Sequence, residues 1–206
     1  ESIPQLGYGT HQFFRYYGKF PSIVGREIVS RFGTSGAVLD CYAGSGTTLV
    51  EAQIAGRTSY GLDINPLAAL ACRAKTYYYA DAPALRLLAA EVVSRARKSP
   101  PWQPPQKIAA KLDKWFSAET QDELARMRTV LGNLPDNQET EFLLTAYLGI
   151  VRRCSRAYDG EVRPHINPGK RERSPYEAFL AKVTDMVDGL LEVDSMRPPG
   201  IACSTR

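Results

Sequence analysis

The chain has 206 residues, 44% of them apolar and 23% charged, close to the average for soluble globular domains. At roughly 150 residues per domain it holds one domain or one and a fraction. These values exclude a disordered tail, a collagen-like chain and a coiled-coil rod. The longest strongly apolar stretch, Phe142 to Val151, is ten residues, half of the about 20 that a membrane span needs. No basic segment followed by an apolar run opens the chain, so no secretory signal is expected and the reading is cytoplasmic. The four cysteines, at 41, 72, 154 and 203, form no CxxC pair, and there are two histidines. Neither a zinc site nor a disulfide framework is expected, and the cysteines read as buried, small apolar residues of a reducing compartment.

In chain order, residues 1 to 36 are rich in aromatics and glycine, and Ile23 to Phe32 has helical spacing. Ala37 to Tyr42 reads as a buried strand. Gly44-Ser45-Gly46 then turns the chain into a helix, Thr47 to Ala55, closed by Gly56 at the position after the cap. A second strand, Thr58 to Ile64, carries Asp63 near its end. Asn65 caps a third helix with Pro66 at its first position. Strand, helix, strand, helix is the opening of an α/β sheet.

Beyond Thr76 the pattern becomes helical. Leu85 to Val93 is a helix, Pro100 to Pro105 reads as a linker, and Thr120 with Glu123 reads as a capping box. Phe142 to Val151 is a further helix, and a last one starts at Ser174 with the stripe Phe179, Leu180, Val183, Met186, Val187 and Leu190. Two strands do not complete a sheet that usually has five or so. The expected domains are therefore 1–79 as part of an α/β core, 80–195 as a helical insertion, and 196–206 as a tail leading toward a missing remainder or partner.

The sharpest signal is Asp40-Cys41-Tyr42-Ala43-Gly44-Ser45-Gly46-Thr47, followed by Asp63, 19 residues after Gly44. Glycines between strand and helix let the backbone approach a ligand and leave helix N–H groups free. An acid at the end of the next strand suits ribose hydroxyls. A P-loop needs a lysine after the last glycine, where this chain has Thr47. A dinucleotide fingerprint needs a third glycine at position 49, which is leucine. Asp40 would repel a pyrophosphate, whereas S-adenosylmethionine, with a sulfonium and an ammonium, tolerates it. The plain alternative is a tight turn without a ligand, with Asp63 as a helix cap.

Residues 40 to 52, with Gly61-Leu62-Asp63-Ile64-Asn65-Pro66, resemble motifs I and II of the DNA amino-methyltransferases, which methylate cytosine N4 or adenine N6. Phe14-Arg15-Tyr16-Tyr17-Gly18-Lys19-Phe20-Pro21 resembles their motif X. The resemblance covers residues 11 to 76 and implies an incomplete Rossmann-like, S-adenosylmethionine-dependent methyltransferase core. It places Asp40 and the Gly44 and Gly46 backbone at the methionine portion and Asp63 at the ribose. Lys19 and Phe20 would line the pocket, and Tyr17, Tyr42, Ala43, Thr47 and Ile64 complete the expected cofactor-binding set. The family usually has Pro-Phe where this chain has Cys41-Tyr42. Phe13, Phe14, Tyr16 and Tyr17 have a structural reading too, as staples of an N-terminal arm.

The family holds the flipped base with Asp or Ser followed by Pro-Pro and an aromatic, at the end of a buried strand. Ser99-Pro100-Pro101-Trp102 has those letters, but Arg95, Arg97 and Lys98 precede it, as at a charged helix end, so it reads as linker. The amine-holding motif then comes from a remainder of a longer enzyme or from a second polypeptide of a split one. Two competitors stand: a complete methyltransferase acting on RNA or another substrate through Ser99 to Trp102, and a non-catalytic cofactor- and DNA-binding subunit. Restriction-modification is the family's usual setting.

Between Arg152 and Arg173 seven Lys or Arg face three acids, a local +4 that equals the net charge of the whole chain. Arg152, Arg153, Arg156, Arg163, His165, Lys170 and Arg171 are the expected phosphate contacts on DNA; the alternative is a solvated loop.

Overall fold

The computed structural model describes residues 7–16, 18, 19, 21–33, 36–159 and 163–198. A 3-10 turn, Gly9–Gln12, is followed by α1 (Ser22–Phe32), β1 (Val38–Asp40), α2 (Thr47–Ile54), β2 (Ser59–Gly61) and α3 (Pro66–Thr76). Then come α4 (Ala84–Ala96), α5 (Gln106–Trp115), α6 (Ala118–Leu131), α7 (Gln138–Cys154) and α8 (Pro175–Met196). The chain divides into two compact units, Glu1–Ala82 with Asp185–Arg206, and Pro83–Thr184. The architecture is mostly helical with a small parallel sheet, compatible with an α/β fold.

In the first unit β1 pairs with β2 in parallel, Leu39 opposite Tyr60 and Asp40 opposite Gly61. The strands are shorter than their apolar runs suggest. Helix α2 covers one face, and packs so closely that a Cβ on Gly61 would lie 2.8 Å from Leu49 Cδ2. As expected, Gly56 takes a positive φ of 71°, and Arg57 N then donates to Ala52 O to close α2. The Asn65 side chain accepts from Leu67 N at 3.0 Å and caps α3.

The expectation that β1 is buried needs correction. Side chains alternate across a strand, and the face opposite α2 is uncovered: Leu39 is 62% exposed and its neighbour Tyr60 42%. Cys41 is exposed for the same reason, whereas Cys72 and Cys154 are buried as expected; Cys203 lies outside the described residues. Leu62 and Ile64, and Ile23, Ile28 and Phe32 on α1, are also exposed.

The second unit contains α5, a helix that the proline-rich reading did not anticipate and that buries none of its residues fully. The segment before it is strapped along α6: Trp102 N donates to Ala125 O, Arg126 Nη1 to Ser99 O and Thr129 Oγ1 to Pro100 O. The expected capping box is also corrected. Phe116 is extended and ends α5, so the chain re-enters a helix at once, with Ser117 as cap accepting from Thr120 N at 3.3 Å. Glu123 instead accepts from Ser174 Oγ at 2.8 Å and Tyr176 N at 3.4 Å, at the start of α8. Among the described residues no helix is long and apolar enough to cross a membrane.

Candidate functional site

The turn after β1 is built by backbone geometry that glycine alone adopts easily. Gly44 and Gly46 have φ of 51° and 82°, in the region that L side chains avoid. Gly46 N donates to Ala43 O at 2.8 Å, and the following residue opens α2. Asp63, distant in sequence, is brought against the turn. Its Oδ2 accepts from Gly44 N at 2.8 Å and its Oδ1 from Asn65 N at 2.8 Å. A carboxylate oxygen has a second lone pair, so each retains acceptor capacity. Asp40 Oδ1 accepts from Tyr42 N at 3.0 Å. A cavity of about 190 Å³ beside the turn is lined by Ala43, Gly44, Gly61, Asp63, Arg73 and Tyr77, among others. Asp63 lines this cavity and Asp40 stands on the same turn; with the Gly44 and Gly46 N–H groups bonded within the turn, the carboxylate oxygens offer acceptors that suit hydroxyl and ammonium donors.

Other expected contacts are placed unevenly. Tyr42 is 91% exposed and Ile64 is fully exposed, while Ala43 and Thr47 are buried. The hydroxyls of Ser45 and Thr47 are buried with no partner among the described residues. Tyr17 and Phe20 lie outside the described residues.

Tyr16, read from sequence within motif X and as a staple of the arm but not among the expected cofactor contacts, lies against this turn. A Cβ on Gly44 would lie 3.1 Å from Tyr16 Cε1, so the ring rests on the glycine turn. Nothing in the aromatic run 13–17 distinguishes it by spacing. Its arm is held down by a buried polar cluster. Lys19 Nζ donates to His11 O at 2.8 Å, and desolvation lowers the Lys19 pKa. His11 Nε2 meets Glu51 Oε1 at 2.8 Å, Arg26 Nε donates to Glu51 Oε2 at 3.3 Å, and Tyr8 OH donates to the same carboxylate. Burial pushes the Glu51 carboxyl up to about 7. Burial, with the charges of Lys75, Lys19 and Arg26, brings His11 down to about 3. Lys75, fully buried, donates to Ser45 O at 2.7 Å and ties the turn to α3.

Ser99 to Trp102 belong to the second unit, whereas the glycine turn belongs to the first. The tetrapeptide follows the end of α4, not a strand, and Ser99 Oγ donates to Arg95 O at 2.9 Å. Trp102 helps line a separate apolar cavity of about 290 Å³, with Ile108, Leu112, Phe116, Leu124 and Tyr147.

In the basic segment an antiparallel bridge between Ala157 and Ile166 pairs two arms, 153–159 and 163–171, of a hairpin. Tyr158 and His165 stack at its base, 5.4 Å between centroids. Three of the expected contacts are bonded within the protein. Arg156 Nε donates to Glu172 Oε1 at 2.8 Å. Lys170 Nζ donates to Ala157 O at 2.9 Å and to Asp159 Oδ1 at 2.8 Å. Arg152 Nη2 donates to Tyr158 O at 2.7 Å. Arg153, Arg163 and Arg171 are exposed. Glu172 also accepts from Ser117 N at 2.8 Å. Its partial burial raises the carboxyl pKa, but bonds from Ser117 and Thr120 and the Arg156 charge outweigh that, leaving it below the ordinary value.

No family model and no solved structure matches the chain. The Type II methyltransferase M.BsoBI of Geobacillus stearothermophilus is 34% identical over 71 residues, 34% of this chain and 14% of that protein. The Type II methyltransferase M.MjaII of Methanocaldococcus jannaschii is 30% identical over 90 residues, 43% of this chain and 17% of that protein. The matched stretches are thus about a sixth or less of the relatives' length. Over part of its length, the chain is similar to Type II methyltransferases.

Proposed function

We propose that this chain is the S-adenosylmethionine-binding part, or subunit, of a site-specific DNA methyltransferase acting on an exocyclic amino group, cytosine N4 or adenine N6. One observation carries the reading: the hydrogen bond from Gly44 N to Asp63, which joins a left-handed glycine turn and a distant acid at one cavity. The partial similarity to Type II methyltransferases supports it. Residues 1–79 form the cofactor-binding part. The Gly44 and Gly46 backbone and Asp40 face the amino-acid end, Asp63 offers its remaining lone pairs to the ribose, and Tyr16 covers the turn. When bound, S-adenosylmethionine supplies a methyl group activated on a sulfonium. The residues of this chain bind and orient it.

The acceptors for the target amine come from outside residues 1–206, either from the remainder of a longer polypeptide or from a second one. The uncovered face of Leu39 and Tyr60 supports this, because parallel sheets are covered on both faces. A complete enzyme working through Ser99 to Trp102 is disfavoured by the bonds from α6 to the Ser99 and Pro100 carbonyls.

Calorimetric titration of the chain with S-adenosylmethionine, followed by a methylation assay on duplex DNA, tests the proposal. Binding without turnover is expected. Turnover by this chain alone would overturn the divided active site, and a folded chain that binds no cofactor, with or without its catalytic complement, would overturn the reading of the glycine turn.

A further inference from the structure

We infer that α5 and the arms 153–159 and 163–171 of the basic hairpin form one phosphate-contacting surface for duplex DNA, with Lys107, Lys111 and Lys114 as a row along one strand. The inference rests on the reading above that the substrate is DNA, and it assigns contacts to a helix outside the basic segment.

The three lysines are spaced four and three residues apart. At 100° per residue they fall within an arc of about 60°, and from first to last they rise about 10.5 Å. Phosphates of one strand advance about 3.4 Å per step along the duplex axis, so the row spans about three steps. All three lysines are exposed. Asp113, the one acid in α5, lies on another side of the helix, where it accepts from Gln121 Nε2 at 2.9 Å. The apolar stripe beside the row, Ile108 and Leu112, turns to the cavity with Phe116 and Leu124. One side of α5 therefore seats it, and the lysine side is exposed, with Lys114 Nζ 5.1 Å from the centroid of the Trp115 ring.

The helix and the hairpin are physically joined. Arg156 N donates to Trp115 O at 2.8 Å and Arg156 Nη1 to Asp113 O at 3.0 Å, while Arg156 Nε reaches Glu172. Glu172 in turn accepts from Ser117, the residue that opens α6. Arg156 and Glu172 are thus positioning residues that hold the C-terminal end of α5 against the hairpin. Arg152 and Lys170 brace the hairpin itself. The cations left for phosphate are Lys107, Lys111 and Lys114 with Arg153, Arg163 and Arg171. Charge complementarity and the straight row favour a duplex backbone as the occupant.

The test is fluorescence anisotropy of the whole chain on a duplex of about 20 base pairs, the turn-to-turn scale of such a surface, across a salt series. Each lost phosphate contact lowers the slope of log affinity against log salt by about 0.9. The variant Lys107→Ala, Lys111→Ala, Lys114→Ala should lose between about 2 and 3 of that slope. Alanine favours helix, so α5 persists, and circular dichroism verifies it. A charge-matched control, Arg31→Ala, Arg95→Ala, Lys98→Ala, should keep the slope. An unchanged slope in the lysine variant, an equal loss in the control, no duplex binding by the unmodified chain, or tighter binding of single-stranded RNA would each overturn the inference. Cofactor calorimetry on the same samples separates the two ideas. A lysine variant with undiminished slope and normal cofactor binding sinks only this one; a reduced slope in the lysine variant with no cofactor binding, even with the catalytic complement added, sinks only the cofactor reading.

Discussion

Replacing Gly46 with alanine isolates what the glycine turn demands. At φ 82° an alanine pays about 1–2 kcal/mol for left-handed backbone. Its Cβ would also lie 2.7 Å from Cys72 Sγ and 3.3 Å from Cys72 Cα, and overpacking of this kind costs about 1–3 kcal/mol. Together the loss is about 2–5 kcal/mol, localised where α2 meets α3. Both tryptophans, Trp102 and Trp115, lie in Pro83–Thr184, so tryptophan fluorescence follows the other unit and is the wrong probe. Amide hydrogen exchange of peptides covering 47–76 is the right one. Protection there should fall at least about 30-fold, the equivalent of about 2 kcal/mol. Adding Cys72→Ala removes the sulfur but not the backbone strain. The double variant should therefore show a favourable coupling of about 1–3 kcal/mol without full recovery. Unchanged exchange in Gly46→Ala, or additive losses in the double variant, would refute this account of the turn.

Leu39→Lys should change the stability of the isolated chain by no more than about 0.5 kcal/mol in urea, as for other surface positions, yet block methylation when the catalytic complement is added; a loss above about 1.5 kcal/mol would mean the face is already covered. Because the folded Glu172 pKa lies below its ordinary 4.5, its contribution is fully present above the unfolded pKa and is lost as pH falls through the folded one. Glu172→Gln should lower stability at pH 7 and flatten the acid branch of the pH–stability curve, and an unchanged branch would contradict the assignment. Trp102→Ala should leave S-adenosylmethionine affinity unchanged by calorimetry, and its loss would bring Ser99 to Trp102 back to the cofactor site.

The turn was legible in sequence because its requirements are local: left-handed glycines, a capping Asn65, a proline at the first helical position and an acid at fixed spacing each leave a mark on the residue type. Helix α5 was not. Its entrance is masked by Pro100 to Pro105, and its apolar side is only Ile108, Leu112 and Trp115, enough to seat a helix but too sparse to announce one. The capping box erred for a related reason, since Thr120 and Glu123 match its letters while Ser117, three residues earlier, is where the chain becomes helical. The charge of the basic segment was visible, but its division into bracing and exposed groups depends on partners such as Glu172 and the Trp115 carbonyl, which meet it only in three dimensions.

The uncovered sheet face bears on why the same unit looks incomplete by two independent routes. The pattern of apolar runs along the chain gives two strands, too few for a sheet of five or so, and an isolated two-stranded pair is marginal in water. Here the pair is held from one side by α2, whose Leu49 and Val50 are buried, and by Asp63, which bonds the turn across from β1 to the end of β2. That support fixes the backbone of the turn without needing the opposite face. Leu39, Tyr60 and Leu62 are therefore open to a further layer, and β-branched or charged replacements there test docking without disturbing the glycine turn. On the function proposed above, a glycine turn braced from within beside an open sheet face would let one body hold the cofactor before another arrives with the base.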